Sequence, residues 1–258
     1  MTGPRLGFLG VGEIARAMVE GIASGPRPYD RIVLSPRGRD NVAALTARFP
    51  DLEVAGSNAD VVAGSDVVVL AVRPENLAEA VAGVSFRPDQ VLVSALAGVP
   101  IARLREVLGF EGDIVRSIPL PPVSERASVT VVYPDHPAGT TLFDLLGGTL
   151  VPADEEAFAV FGGVTATFTA FLDYVRTISA WTTERGVDPA DAERFVRSAF
   201  AGLAPALRDL DRPLDRLVRD HETPDGFNEQ LRQHWFDAAA QDRLRQELDA
   251  LHERARGE

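Results

Sequence analysis

The 258 residues carry 45% hydrophobic content, enough to bury a core in one large domain or two modest ones, and 26 basic side chains against 38 acidic ones. The resulting formal charge of −12 repels phosphate, which argues against a general nucleic-acid or anionic-membrane binder. Cysteine is absent and every basic residue is arginine, which excludes disulfides, thiolate metal sites, cysteine nucleophiles and Schiff-base lysines, together with the lysine-dependent dehydrogenases of the short-chain, β-hydroxyacid and ketopantoate types. No uninterrupted apolar run reaches about eighteen residues, so no membrane-spanning helix is expected. The start, MTGPRLGFLGVG, lacks a basic segment followed by an apolar block, and a cytoplasmic location is expected.

In chain order, 5–9 reads as a short apolar strand. A helix follows over 12–24, with Ile14, Met18 and Ile22 on one stripe. Past a loop rich in Gly and Pro, 31–35 is a second strand, 39–48 a helix, 53–56 a third strand and 58–64 a brief helix. "SDVVVLAV" (65–72) is the β-branched run of a strand buried on both faces. A helix is predicted over 74–84, a strand over 90–96, a helix opened by Pro100, a strand over 113–119, another over 128–134 and a short helix over 139–147. This alternation predicts an α/β fold, an N-terminal Rossmann-type doubly wound and mostly parallel sheet over 1–153. From Asp154 the β-rich runs cease, and an all-helical C-terminal domain is predicted over 154–258. There Phe158, Phe161, Phe168 and Phe171 read as a buried seam, and Phe236, Ala240, Leu244, Leu248 and Leu251 repeat at helical spacing.

Gly10-Val11-Gly12-Glu13-Ile14-Ala15 fits the G-x-G-x-x-A form of a dinucleotide-binding turn, set between a strand and a helix. The first glycine makes the tight turn, the second lets the backbone approach a pyrophosphate, and Ala15 lets the helix lie close to the sheet. A dinucleotide cofactor is therefore expected, the alternative being a Rossmann domain without its ligand or a flavin-type site. Enzymes that use NAD usually end the second strand in an acid. Here it ends in Ser35-Pro36-Arg37-Gly38-Arg39, a hydroxyl and two arginines suited to a 2′-phosphate, so NADP(H) is favoured over NAD(H). Glu13, beside the turn, is expected either to cap the helix or to point into solvent.

Six segments in order resemble the pyrroline-5-carboxylate reductase family over nearly the whole chain. They are "GFLGVGEIARAMVEGI" with "VLSPRGRDNVAAL", then "LAVRPENL" (70–77) at a Val-Lys-Pro element and "LVSALAGVPIARL" (92–104) at a Ser-x-x-Ala-Gly element. "IVRSIPLPP" (114–122) stands at an Arg-x-Met-Pro-Asn-Thr-Pro element, and "HETPDGFNEQL" (221–231) at a Ser-Pro-Gly-Gly-Thr-Thr turn. The resemblance implies NAD(P)H-dependent reduction of a carboxylated cyclic imine, as in proline biosynthesis, and a helical domain that interlocks with a second subunit, giving a homodimer or larger homo-oligomer. It implies that Ala71, Val72, Arg73 and Pro74 line the cofactor and that Ser94, Ala97 and Gly98 approach the nicotinamide. It also implies that the turn at 223–228 holds the substrate carboxylate and ring nitrogen.

Read on its own chemistry, that turn has Thr223 as an N-cap residue, Pro224 in a first helical turn and backbone donors around Gly226, Phe227 and Asn228 for an anion. It departs from the family, with Asp225 for a glycine and Phe227-Asn228 for two threonines. Asn228 can still hydrogen-bond an imine nitrogen. The Ser-Gly-Ser-Gly-Pro-Ala-Tyr element survives only as Gly162-Gly163-Val164-Thr165-Ala166-Thr167, and Pro119-Leu120-Pro121 lacks the asparagine. Hydride transfer to an iminium needs little acid–base help. A carbonyl substrate would need a donor, for which His221 is the candidate. His136, His234 and His252 have no partners at metal-ligand spacing, so no metal is expected, and Trp181 and Trp235 read as core or subunit-interface residues. Two alternatives stay open, an NADP oxidoreductase acting on a carbonyl or a deazaflavin cofactor, and a non-catalytic NADP(H) sensor.

Overall fold

Short β-branched runs separated by amphipathic helices wind into one sheet. The computed structural model describes residues 3–255. The first half runs β1 (Arg5–Leu9), α1 (Glu13–Ala23), β2 (Arg31–Leu34), α2 (Arg39–Arg48), β3 (Glu53–Val54), α3 (Asn58–Ala63), β4 (Val67–Leu70) and α4 (Leu77–Ala80). It continues through β5 (Val91–Ser94), α5 (Ile101–Leu108), β6 (Asp113–Ile118), β7 (Thr130–Tyr133), α6 (Pro137–Asp144) and β8 (Thr149–Leu150). The sheet order is β3-β2-β1-β4-β5-β6-β7-β8. The strands from β3 to β6 are parallel, whereas β7 runs antiparallel to β6 and β8 parallel to β7.

Every residue of β4 is buried, because helices cover both faces of the sheet. Alternation along each strand divides the apolar side chains into two cores. Leu6 and Phe8 pack with Met18 and Ile22 of α1, Leu45 of α2 and Phe143 of α6. Leu9, Val68 and Leu70 pack on the other face with Val61, Leu77 and Leu104 of α3, α4 and α5. The winding direction reverses between β1 and β4, and in open α/β sheets the crevice at the carboxyl ends of the strands there is the ligand site.

Three elements differ from the sequence expectation. The helix predicted over 74–84 is a 3-10 turn at Pro74–Asn76 followed by a single turn of α4, and the chain then reverses at Gly83 with φ +72. The helix predicted over 139–147 starts at Pro137, because the His136 imidazole Nδ1 accepts the Ala138 amide at 3.1 Å and caps it. A 3-10 turn at Pro121–Glu125 fills a stretch with no predicted element. It ends at Arg126, whose guanidinium donates to the carbonyls of Gly21 at 2.7 Å and Ile22 at 3.2 Å, capping the C-terminal end of α1.

The base of β1 is tied by charge. Asp66 accepts the Arg5 backbone amide at 2.9 Å and a two-pronged guanidinium contact at 2.8 and 3.1 Å. The Arg5 hydrogen bonds hold the Asp66 carboxyl below its ordinary range against a smaller opposing effect of burial. A carboxylate with a depressed folded pKa adds stability at pH values above its unfolded pKa and loses it as pH falls through the folded one. Urea midpoints should therefore drop below about pH 4. Asp66→Asn should remove that part of the acid sensitivity at a cost of about 1 kcal/mol near neutrality, since both side chains are partly exposed.

The second half is helical: α7 (Glu155–Glu184), α8 (Pro189–Ala201), α9 (Ala204–Arg208), α10 (Leu214–Asp220), α11 (Phe227–Trp235) and α12 (Ala238–Ala255). Contacts divide the chain into two compact units inside α7, one running to Gly162 and taking up the chain again from His252, the other spanning Gly163–Leu251. The phenylalanine seam is not buried as a whole. Phe158 is 3% exposed, but Phe168 and Phe171 are 45% and 51% exposed. Phe171 meets Phe200 edge-on at 5.9 Å, and Tyr174 stacks on Trp235 at 5.0 Å. Trp181 and Trp235 are both more than half exposed. The 30 residues of α7 are also long and apolar enough, by length and composition alone, to cross a membrane. A search for unbroken apolar runs misses this because threonines and glycines interrupt a segment whose only charge between Ala157 and Val175 is Asp173.

Candidate functional site

The glycine turn sits at the carboxyl end of β1, at the reversal point. Gly10 has φ +87, and a Cβ there would lie 2.7 Å from Val72 Cγ1 and 2.8 Å from the Ala71 carbonyl oxygen, so the turn is backed by the segment after β4. Gly12 is the N-cap of α1 with ordinary extended backbone, φ −80 and ψ −172. Among the described residues a Cβ on Gly12 would meet nothing within 4 Å, so the space beside the helix N-terminus is open. Ala15 is fully buried, which lets α1 lie close to the sheet. An open glycine at a helix N-terminus with free first-turn amides fits a pyrophosphate.

Glu13 does not point into that space. Its Oε1 accepts from Asn41 Nδ2 at 3.1 Å, and the same amide donates to the Val11 carbonyl at 3.1 Å. The charge is drawn sideways toward α2, while Ile14 behind it is half-buried.

The residues after β2 differ from expectation in one respect. Ser35 is fully buried, and its hydroxyl accepts the Gly10 amide at 3.1 Å, so it braces the glycine turn rather than facing a ligand. Arg37 is exposed, and its Nη2 donates to Glu79 Oε1 of α4 at 2.7 Å. Gly38 adopts φ +82 against the Val11 carbonyl, where a side chain would collide. Arg73 is exposed in front of Pro74, which opens the 3-10 turn. Among the described residues neither Arg39 nor Arg73 joins an ion pair.

The loop after β5 carries Ala97 and Gly98, both exposed, and Gly98 has φ +67 with open space where a Cβ would stand. It is pinned at both ends. Ser94 is buried, its Oγ accepts the Leu96 amide at 3.3 Å, and its carbonyl accepts from Ser117 Oγ at 3.0 Å. At the far end, Glu155 Oε1 accepts the Ile101 amide at 2.8 Å.

That same carboxylate oxygen receives Arg116 Nη1 at 2.8 Å, and the Phe158 ring lies 4.5 Å from the guanidinium carbon. Arg116 is 4% exposed in β6, opposite Ser94 in register, and its Nε has no hydrogen-bond partner among the described residues. Burial lowers its pKa, and the Glu155 hydrogen bond works the other way. Residue-by-residue reading passed over Arg116. The available signal was an arginine at an interior position of "DIVRSIP", where a charge must find a counter-charge.

The turn at 223–228 is described within its own unit. The Gly226 amide donates to the Thr223 carbonyl at 2.8 Å, and Asp225 takes the left-handed conformation, φ +59. The helix therefore begins at Phe227 with Gly226 as N-cap. Thr223 is not the cap and Pro224 lies outside the first turn, because a left-handed residue intervenes. Glu229 reaches back to accept the Asp225 amide at 2.8 Å, placing an internal carboxylate beside this helix N-terminus. Asn228 Nδ2 donates to the His221 carbonyl at 2.7 Å. His221 Nδ1 lies 2.8 Å from the Leu217 carbonyl oxygen, an acceptor, so Nδ1 carries the proton. Phe227 is 90% exposed. A paired Arg232 holds the Glu222 carboxyl below its ordinary range, chiefly through their hydrogen bonds. Among the described residues no cluster of three or more His, Asp or Glu could hold a metal.

Residues 5–98 match the family model described as NADP oxidoreductase, coenzyme F420-dependent. A pyrroline-5-carboxylate reductase of Pseudomonas aeruginosa is 33% identical over 135 residues, 52% of this chain, and the match spans about half of that relative's length, 49%. Pyrroline-5-carboxylate reductase 3 of Danio rerio is 27% identical over 233 residues, 86% of this chain and 80% of the relative. Among solved structures, a pyrroline carboxylate reductase of Plasmodium falciparum with NADP bound superposes with a TM-score of 0.81 at 17% identity, covering 100% of this chain and 98% of that one, a likeness of fold. Together the glycine turn, the sheet order and the helical second half make this chain similar to pyrroline-5-carboxylate reductases in sequence and in fold.

Proposed function

We propose that the protein is an NAD(P)H-dependent reductase of a C=N bond in a small carboxylated substrate, a cyclic imino acid. The observation that carries this reading is the open Gly12 at the N-terminus of α1, at the reversal point of a sheet whose relatives are pyrroline-5-carboxylate reductases. When bound, the nicotinamide supplies hydride. In this reading Gly10, Gly12 and the first amides of α1 bind the pyrophosphate, and Ala71, Val72, Arg73 and Pro74 line the dinucleotide. Ala97 and Gly98 approach the nicotinamide from a loop pinned at Ser94 and Ile101. Arg37 takes the 2′-phosphate that makes NADP(H) the preferred cofactor.

At the helical turn, Thr223, Gly226 and Phe227 contact the substrate, and the carboxylate uses the first-turn amides of α11. The hydrogen bond from Asn228 Nδ2 to the His221 carbonyl turns the Oδ1 of Asn228 outward as an acceptor for the N–H of a protonated imine. His221, its Nδ1 bonded to the Leu217 carbonyl, is the group that would serve a carbonyl substrate. The exposed face of α7 at Phe168 and Phe171 supports association with a second copy of the chain as a dimer or larger homo-oligomer, through residues 154–258.

The test is loss of the reduced nicotinamide's absorbance with pyrroline-5-carboxylate and larger cyclic imino acids, on a preparation whose sedimentation is also measured. Turnover of at least one imine by a dimeric or larger species is expected. Binding of NADPH with no imine consumed, or a monomer at micromolar concentration, counts against the corresponding part. The family model matched at 5–98, by its description as coenzyme F420-dependent, supports a second reading, hydride exchange with a deazaflavin. A deazaflavin consumed where imines are not would select it.

A further inference from the structure

The carboxylate that sequence reading looked for at the end of the second strand, and did not find, is supplied from elsewhere. Arg37 follows β2 and Glu79 lies on α4, which follows β4, and β2 and β4 flank β1 in the sheet. The 2.7 Å pair between Arg37 Nη2 and Glu79 Oε1 therefore joins the two segments on either side of the glycine turn. It is also the one ion pair that a residue of the 35–39 loop makes among the described residues. Both partners are more than half exposed, so a ligand can reach either.

We propose that Glu79 is a specificity-determining residue that sets the balance between the two nicotinamide dinucleotides by competing for Arg37. The proposal rests on the reading that residues 35–39 and 71–74 hold the adenosine ribose. Paired with Glu79, Arg37 is neutralised, and a ribose 2′-phosphate has to displace a carboxylate to reach it. The phosphate wins that exchange because it carries more charge and offers more acceptor oxygens to the guanidinium fork. The exchange leaves Glu79 unpaired beside a new anion, which weakens NADP(H) binding. With NAD(H) no displacement is needed. A carboxylate held at the ribose accepts the 2′-hydroxyl, the task that an acid at the end of the second strand performs elsewhere. Glu79 thus narrows a preference for NADP(H) that Arg37 alone would make wide, and the chain accepts both dinucleotides.

The experiment is equilibrium binding of NADPH, NADH and 2′,5′-ADP to the full chain at low ionic strength, where exposed charges are least screened. Four proteins are compared: wild type, Glu79→Gln, Arg37→Gln and the double variant. For Glu79→Gln, an exposed and nearly isosteric change, NADPH and 2′,5′-ADP should bind about 3–5-fold more tightly and NADH about 2–3-fold more weakly, as for loss of one exposed charge contact. In the Arg37→Gln background the same substitution should tighten NADPH by clearly less, because the competition has lost its object and only the repulsion between Glu79 and the phosphate is relieved. A wild type that binds both dinucleotides, with a Glu79→Gln ratio of NADPH to NADH affinity within twofold of wild type, overturns the assignment of Glu79 alone. Equal shifts for both dinucleotides overturn it too, since they would report a structural effect. A wild type that binds neither dinucleotide overturns the cofactor reading, and the Glu79 assignment with it.

Discussion

Gly12→Ala should leave the fold within about 1 kcal/mol of wild type and weaken NADPH binding about 100-fold, the largest separation of stability from function expected anywhere in this chain. The backbone at Gly12 is extended and open to any residue, and among the described residues a Cβ meets no atom within 4 Å, so none of them resists the methyl group. In the proposed reading the methyl group takes the space through which a pyrophosphate approaches the α1 amides. Gly10→Ala is the contrasting control. There the positive φ and the approach of Val72 and Ala71 strain the fold itself, and the variant should lose several kcal/mol in urea. Thermal melts beside dinucleotide titrations separate the two. Full NADPH affinity in Gly12→Ala would remove the pyrophosphate from this turn.

The second large effect is at Arg116. Arg116→Ala should cost about 3 kcal/mol, near the low end for a broken buried pair, because Glu155 is one third exposed and keeps the Ile101 amide. The loss combines a carboxylate left without its counter-charge and a guanidinium removed from the Phe158 ring. Replacing both partners, as Arg116→Met with Glu155→Gln, should recover most of it, since uncharged groups of similar volume carry no desolvation penalty. If the single variant unfolds at the wild-type urea concentration, the pair contributes no stability.

The extent to which this molecule can be read from its residues follows the range of the interactions. The strands around Val67–Leu70 and Val91–Ser94 are legible because a β-branched run reports burial on both faces directly, and the turn at Gly10 because left-handed backbone asks for glycine locally. Ser35 and Arg37 were legible as a hydroxyl and a cation but not in their partners, which lie 25 and 42 residues away and come close only through the sheet order. Thr223 illustrates the opposite failure. Its cap chemistry is sound, but Asp225 turns left-handed and moves the helix start to Phe227. Phe168 and Phe171 obey helical periodicity, yet periodicity says which face is apolar and not what covers it.

The reach of Arg116 across to α7 bears on what can be separated from what. The side chain that neutralises a cation inside the nucleotide-binding sheet, and the ring that shelters it, belong to the first turn of the helix that continues into the other unit. Any recombination that grafts a different helical half onto this sheet must therefore carry Glu155 and Phe158 with the sheet. Swaps made just before α7 inherit an orphaned charge, whereas swaps made after Gly162 do not.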